Sequence, residues 1–442
     1  MTTQTMTSSA VMNGAKISGL QILTLVLCFL VVAADGFDVA AAGYVAPLLK
    51  REWALAPPQL APIFGAGLFG LAIGSFIFGP MADRIGRRRV IVLSMLLFAA
   101  GSIACGYADS VQSLAVLRFL TGLGLGGAMP AALTLSSEFA PERNRALLVT
   151  LMFCGFTLGL AFGGGIAALL IPRFGWPGVF FFGGAVPLAL VPLIWFLMPE
   201  SLRFMAGKPK YEAEARAVLR RLTGRDDVRL EAVVPEERGT TAAKASVLAT
   251  LFNAHYRAGT LLLWLAFFCT LWVYYQVSSW LPTVITDSGI AVTEAAAIGA
   301  MMPIGGTLGS LINARLMDHY NPFFVLTCSY AVAALSIVLT GAAIAHPGWL
   351  YVAVFCIGLG LSGAQTGANV LVSGFYTTAA RATGVSWALA VGRVGSIVGS
   401  VSGGALLAAI ASKQTAFVVF AVPAVIAGCA MLVTGRLYKE GK

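Results

Sequence analysis

Twelve runs of mostly apolar residues, each near the ~20 that a helix needs to cross a hydrocarbon layer of about 30 Å, constrain this 442-residue chain more than any other feature. They cover residues 20–49, 59–81, 90–107, 111–136, 146–171, 176–198, 259–285, 295–317, 322–345, 348–375, 383–411 and 415–437. The expected fold is therefore all-α and integral to a membrane. Composition supports this, because 58% of the residues are apolar and only 11% charged, too few to cover a soluble surface, where about a quarter is usual. The 50 glycines suit helices that pack closely in lipid.

The charges that remain are arranged by side. With the N-terminus inside, the inner connections hold Lys16, Arg84, Arg87, Arg88, Arg89, Arg143, Arg145, Arg315, Arg381, Arg436, Lys439, Lys442 and the basic residues of 199–258; the outer ones hold only Lys50, Arg51, Arg173 and Lys413. This bias puts both termini, 1–18 and 438–442, in the cytoplasm. It also accounts for the net charge of +10 without nucleic acid as a partner. The polar stretch 1–18 leads into an apolar run too long for a signal core, so no cleaved leader is expected. The one long connection, 199–258, separates six spans (19–198) from six (259–437); with its charged helix-forming stretch at 211–222 it is expected to be a solvated bridge, a regulatory or docking element being the alternative.

Several other classes lose their footing. The seven cysteines stand singly, without CxxC spacing, and read as small core residues. Three histidines near helix ends offer no metal-ligand spacing, so neither a metal, an organic cofactor nor an enzyme is expected. The GLGLGG run from Gly122 contains a loose nucleotide-loop pattern, but it lies inside an apolar run with no strand before it.

The two halves repeat one another. GLGLGGAMPAALTLSSEFAPERNRA from Gly122 aligns without gaps to GLGLSGAQTGANVLVSGFYTTAARA from Gly358, pairing Gly122, Gly124, Gly127, Phe139 and Arg145 with Gly358, Gly360, Gly363, Phe375 and Arg381. The register continues, with Gly159 and Gly163 on Gly395 and Gly399. A second echo sets GPMADRIGRRR (79–89) against ARLMDHYNP (314–322), with Asp83 on Asp318 and Gly86 on Asn321. Gly and Asn tolerate a left-handed backbone, so both copies are expected to make the same turn. Two pseudo-symmetric six-helix bundles around a central site suit alternating access.

The 79–89 loop, with Gly79, Asp83, Arg84, Gly86, Arg87 and Arg88, resembles the G-x-x-x-D-R-x-G-R-R signature of the major facilitator superfamily. The resemblance implies that fold and a cytoplasmic charge cluster that breaks and reforms through a transport cycle. PESLRF (199–204) is similar to the PES-x-R-[FW] signature of the sugar and organic-ion branches. Gly155, Gly159 and Gly163 lack the proline that drug antiporters place among such glycines. DGFDVAAAGYVAPLL from Asp35 resembles the D-G-x-D signature of the aromatic acid:proton symporter family; LRFLTGLGLGGAMP from Leu117, SSEFAPERNRALLVTLMFCGFTLG from Ser136 and AVGRVGSIVG from Ala390 extend the likeness along most of the chain.

The ionisable residues at bilayer depth support the same reading, since such groups are costly there and serve function by default. Asp35 and Asp38 share a helix face, and Gly36 between them lets a neighbour or ligand approach. Desolvation and repulsion favour the neutral form of such a pair and a nearby cation the charged one, so it can take and release a proton. Asp38 and Arg118 fall at matching depth and can pair. Arg393 has no acidic partner in its own span; it can meet a substrate carboxylate in bidentate geometry, or Asp35 or backbone carbonyls. Glu138 is expected to bridge to Arg143, Arg145 or the 79–89 loop rather than to touch substrate. Flat walls for an aromatic guest are available in Trp272, Tyr274, Tyr275, Gln276, Ser278 and Trp280, in Phe153 and Phe156, and in Asn369 and Trp387; Tyr275, Gln276, Asn369 and Trp387 are the expected contacts.

The expectation is a proton-driven importer of an aromatic carboxylate of the benzoate or hydroxybenzoate kind, monomeric, in a bacterial inner membrane. A sugar or other organic-anion proton symporter is the alternative. A solute sensor is the reading from another class, and the short tails and central loop leave no room for a signalling domain.

Overall fold

The computed structural model describes residues 4–6, 17–223, 228–230, 251–344, 346–376, 378–410 and 412–438; most of the expected N-terminal tail, part of the central connection and the last four residues lie outside these. The first half comprises α1 (Gly19–Glu52), α2 (Pro57–Ile85), α3 (Arg87–Cys105), α4 (Val111–Phe139) and α5 (Arg145–Leu197). The connection carries α6 (Leu202–Met205) and α7 (Glu212–Thr223). The second half comprises α8 (Arg257–Thr286), α9 (Val292–His319), α10 (Pro322–Ala343), α11 (Pro347–Phe375), α12 (Thr378–Ala409) and α13 (Lys413–Leu437). A two-stranded parallel pairing of Gln4–Met6 with Val228–Leu230 is the only sheet among the described residues.

At 53 residues, α5 would be about 80 Å long if straight, more than twice the hydrocarbon thickness. It breaks at Gly175, whose φ of 66° and ψ of −168° are open to glycine but to few other residues, and Pro177 restarts the helix. Among the described residues, eleven long apolar helices thus make twelve crossings.

The sequence repeat has a physical cause in helix contact. A Cβ at Gly122 would overlap the Gly67 carbonyl of α2, and one at Gly358 would overlap the Met302 carbonyl of α9. On the neighbouring face, Gly124 meets the Phe98 amide of α3 at 2.6 Å and Gly360 meets the Ser329 carbonyl of α10 at 2.6 Å, distances measured from the position a Cβ would take. Gly159 and Gly395 likewise admit the carbonyls of Ala33 on α1 and Phe268 on α8. The glycine run is a packing seam with backbone on both sides.

One echo does not repeat as expected. Gly86 has φ 106°, but Asn321 has φ −58° and ψ 120°, and its side chain accepts from the amides of Phe323 and Phe324 at 3.0 and 3.3 Å. Asn321 precedes Pro322, which favours extended backbone, and its carbonyl oxygen serves better as an N-cap. The central connection also departs from a solvated bridge. Ala215, Val218 and Leu219 form a buried stripe on α7 and join one apolar cluster with Leu202, Phe204, Met205 and Val90 of the first half. Cys28, Cys105 and Cys269 are buried as expected, but Cys328 and Cys429 are exposed on the perimeter.

The two halves touch in a particular place. Call the end near residues 18 and 438 the terminal end, and the opposite one the far end. The contacts between halves lie toward the far end: Phe64 stacks edge-on against Trp280 at 5.0 Å, Gly65 faces Val401, Gly164 faces the Ala296 carbonyl, and Gly43 faces the Ser278 carbonyl. At the rim, Lys50 of α1 pairs with Asp287 at the end of α8, and Lys413 donates to the Asp287 carbonyl at 2.6 Å. Toward the terminal end, Thr366 and Asn369 of α11 stand exposed. Polar side chains exposed on a membrane helix face water in a cleft more cheaply than lipid. The contacts between halves thus close the far end, and exposed polar side chains stand on α11 toward the terminal end.

Candidate functional site

The ionisable residues of the membrane region converge just inside the closed contacts. α1 places Asp35 and Asp38 on one face, with exposures of 1% and 2%. Gly36 between them receives the Phe156 backbone of α5, so the close approach there is by a neighbouring helix and not a ligand. Arg118 of α4, 5% exposed, donates from Nη1 to Asp38 Oδ1 at 2.7 Å and from Nη2 to the Asp38 carbonyl at 3.5 Å. Its guanidinium lies 5.8 Å from the Phe180 ring centre. Gly67 of α2 makes the room, since a Cβ there would sit 3.2 Å from Nη2. Arg118 Nε is buried without a partner.

The second half completes the cluster. Tyr275 and Ser279 of α8 and Ser400 of α12 line a small cavity with Asp38 and Arg118, with about 20 Å³ for water centres, enough for one water and far too small for an aromatic ring. Arg393 of α12 interacts with the Tyr275 hydroxyl and, electrostatically, with Asp35. It forms no ion pair within 4.0 Å among the described residues, and both carboxyl oxygens of Asp35 are buried without a hydrogen bond. Asp35 and Arg393 therefore face one another across the two halves, near but unjoined.

At the terminal end, the 79–89 loop is organised by a residue to which sequence reasoning gave no role. Glu200 is 2% exposed, and its Oε1 accepts from the amides of Arg87 at 2.8 Å, Arg88 at 3.1 Å and Ser201 at 2.9 Å. A carboxylate at these first amides of α3 answers both their unsatisfied N–H groups and the positive end of the helix dipole. Gly86 is required beside it, because a Cβ would overlap the Glu200 carboxylate. Around this core, Arg87 pairs with Asp83 at 2.9 Å and approaches Glu138 at 3.8 Å, Glu138 accepts from the Ser201 hydroxyl, and Arg88 pairs with Glu214 of α7 at 3.0 Å. Glu138 thus meets the loop, one of its three expected partners. These contacts all lie within the first half and its docked connection.

Comparison with known proteins places this geometry. Residues 28–385 and 286–441 match the model of the Major Facilitator Superfamily. The chain belongs to that superfamily. A gallate transporter of Pseudomonas putida is 44% identical over 424 residues, 96% of this chain and 94% of that protein. The 4-hydroxybenzoate transporter PcaK of Acinetobacter baylyi is 40% identical over 427 residues, 96% and 93% of the two chains. The E. coli xylose transporter XylE, in a partially occluded inward open conformation, superposes with a TM-score of 0.72 at 15% identity over 94% of this chain and 98% of that one. That last likeness concerns the fold alone.

In this superfamily member the remaining expected residues fall into two groups. Tyr275 joins the central cluster, whereas Gln276, one residue on, is 1% exposed with neither amide atom bonded and does not line the cavity with Asp38. Asn369 accepts from Gln365 Nε2 at 3.3 Å in the open cleft, and Trp387 stacks on Trp264 at 5.6 Å where α12 meets α8; neither lines that cavity. Of the signature positions, Gly79 has open space around it, Arg84 and Arg143 are exposed, Arg145 begins α5 with a buried, unpartnered Nε, and Asp318 is exposed near the end of α9 without an ion pair among the described residues. Gly67, Phe180 and Glu200 were missed. Nothing in their own neighbourhoods distinguishes Gly67 and Phe180; Glu200 stands in the PESLRF signature, which does not say what its carboxylate meets.

Proposed function

We propose that this superfamily member is a proton-coupled symporter that imports an aromatic carboxylate of the benzoate or hydroxybenzoate kind across the bacterial inner membrane by alternating access. The chain is a transporter and not an enzyme. The observation that carries the coupling is Asp35: a carboxyl without hydrogen bonds at this depth is costly unless a proton or a cation neutralises it, and Arg393 of the opposite half stands within electrostatic reach. Substrate class is supported by relatives named for gallate and 4-hydroxybenzoate, two hydroxylated benzoates, across nearly the full length of this chain.

In this reading the terminal end faces the cytoplasm, and the structure is the state that releases substrate inward. The bundles 19–198 and 259–437 rock about their contacts. A carboxylate entering from the far side meets Arg393, with Tyr275 beside it and the spare donors of Arg118 behind the Asp38 pair. A proton on Asp35 offsets the charge that the substrate brings. One proton with one monoanion is electroneutral; a second would add about 2.3 kcal/mol per 100 mV of membrane potential. Protons are the only cofactor, and the working unit is one chain. PESLRF lends no weight to a sugar substrate, because Glu200 within it is committed to the start of α3.

The test is uptake of labelled benzoate, 4-hydroxybenzoate, gallate and hexoses into proteoliposomes under an inward proton gradient, in wild type, Asp35→Asn and Arg393→Ala. Gradient-driven accumulation of an aromatic acid, lost in both variants, is expected. Hexose uptake, or aromatic uptake indifferent to both substitutions, would sink the mechanism.

A further inference from the structure

A second cavity lies between the halves, on the other side of the α1–α8 contact. It is lined by Tyr44 of α1 and by Tyr274 and Ser278 of α8, with Leu160 of α5 and Met302 and Pro303 of α9 as its apolar walls. None of the three hydroxyls has a hydrogen-bond partner among the described residues. An unpaired hydroxyl in an apolar setting costs free energy, so three residues with free hydroxyls on one cavity make it a place that a polar guest can occupy. The cavity volume is about 10 Å³, room for one water at most.

Its position relative to the carboxylate site is set by the helix. Tyr274 and Tyr275 are consecutive, so their rings diverge; the centroids are 5.5 Å apart at 67°. Tyr275 turns to Arg393 and the Asp38–Arg118 cavity, and Tyr274 turns to Tyr44. The two cavities are thus linked through adjacent residues of one helix. The Tyr44 phenol is seated between glycines of both halves: a Cβ at Gly164 would lie 3.0 Å from its hydroxyl, and one at Gly299 would lie 3.0 Å from its ring. The seat therefore changes whenever the halves move.

We propose that Tyr44, Tyr274 and Ser278 form a hydroxyl-recognition subsite that reads the ring hydroxyls of the substrate. This rests on the aromatic-acid reading above and deepens it. A ring hydroxyl both donates and accepts, so it can take the place of a water among these three groups, while an unsubstituted ring leaves them unpaired. Sites built around a substrate hydroxyl reject the analogue that lacks it far more strongly than apolar pockets reject a missing methylene.

The experiment measures kcat/KM for 4-hydroxybenzoate and benzoate in proteoliposomes, in wild type, Tyr274→Phe, Ser278→Ala and Tyr44→Phe, with folding verified by gel filtration and melting. The preference for the hydroxylated acid should fall at least about tenfold in Tyr274→Phe and further when Ser278→Ala is added. A preference that survives in all three variants overturns the subsite while leaving aromatic transport intact. A well-folded wild type that takes up neither these two acids nor gallate overturns the functional reading and the subsite with it.

Discussion

Replacing Glu200 should damage this protein far more than replacing its counterpart in the second half, although both residues do the same job. Glu200 serves the first amides of α3, and Asn321 serves those of α10 at the equivalent place in the repeat. Asn321 is exposed, so water can replace its side chain, and Asn321→Ala should cost about 1 kcal/mol, as for ordinary caps. Glu200 is 2% exposed and accepts three amides. Bonds to a charged acceptor contribute about 1.5–3 kcal/mol each, but these three share one oxygen and some water can enter, so Glu200→Ala should cost about 3–5 kcal/mol in all. Glu200→Gln keeps an acceptor oxygen and loses only the charge at the helix start, a loss of about 1–2 kcal/mol.

The assay is thermal unfolding of detergent-solubilised protein followed by tryptophan fluorescence, with the four proteins run side by side. Apparent Tm should fall in the order wild type, then Asn321→Ala and Glu200→Gln close together, then Glu200→Ala well below. If Glu200→Ala melts with Asn321→Ala, the amides of α3 do not depend on that carboxylate. If Glu200→Gln falls as far as Glu200→Ala, charge rather than hydrogen bonding is what matters, and the argument from three amides fails.

Three other outcomes follow from the geometry. Arg118→Ala leaves the Asp38 carboxyl buried without its cation, which should cost about 3–5 kcal/mol, whereas the double variant Asp38→Asn with Arg118→Gln should recover most of the lost Tm without recovering uptake; melting and transport measured together separate the two effects. Gly36→Ala presses a methyl into the Phe156 carbonyl and should lower Tm by the equivalent of about 1–3 kcal/mol, while Gly374→Ala, with open space around it, should be silent in the same melt. The Lys50–Asp287 pair is partly exposed, so Lys50→Ala should change stability by less than about 1 kcal/mol; cysteines at both positions, once oxidised, should stop uptake until reduced, and uptake that continues in the cross-linked protein would show that the far end does not need to open.

What the sequence revealed and what it hid divide along a physical line. Spans, repeat and signature loop were legible because each is written in local pattern: apolar runs, glycine spacing, charges in short connections. The Asp38–Arg118 pair was legible because depth in a helix follows from residue count. Asn321 was misread because its backbone was inferred by analogy with Gly86, while an adjacent proline and its own side chain decided otherwise. Gln276, Asn369 and Trp387 were chosen by residue type, and type does not say which way a helix faces; one residue separates Tyr275, in the cluster, from Gln276, outside its cavity. Glu200 was hidden because burial of a charge depends on what packs over it, here the α3 start and the docked connection.

The distribution of these interactions bears on how such a molecule can move. The buried ion pair, Asp38–Arg118, lies wholly within the first half, and so do the contacts of the 79–89 loop with Glu138 and Glu200. Rocking one half against the other leaves these expensive bonds intact. Between halves the contacts are glycine against carbonyl, ring against ring, two water-sized cavities and one partly exposed ion pair. Each is cheap to separate, because it strands no buried charge. The exception is Asp35 opposite Arg393, two ionisable groups across the moving boundary without a bond. Any relative motion of the halves changes that separation. Protonation of Asp35 and arrival of a carboxylate at Arg393 are therefore the two events best placed to decide when the halves move, and coupling of proton to substrate needs no longer chain of residues than this pair.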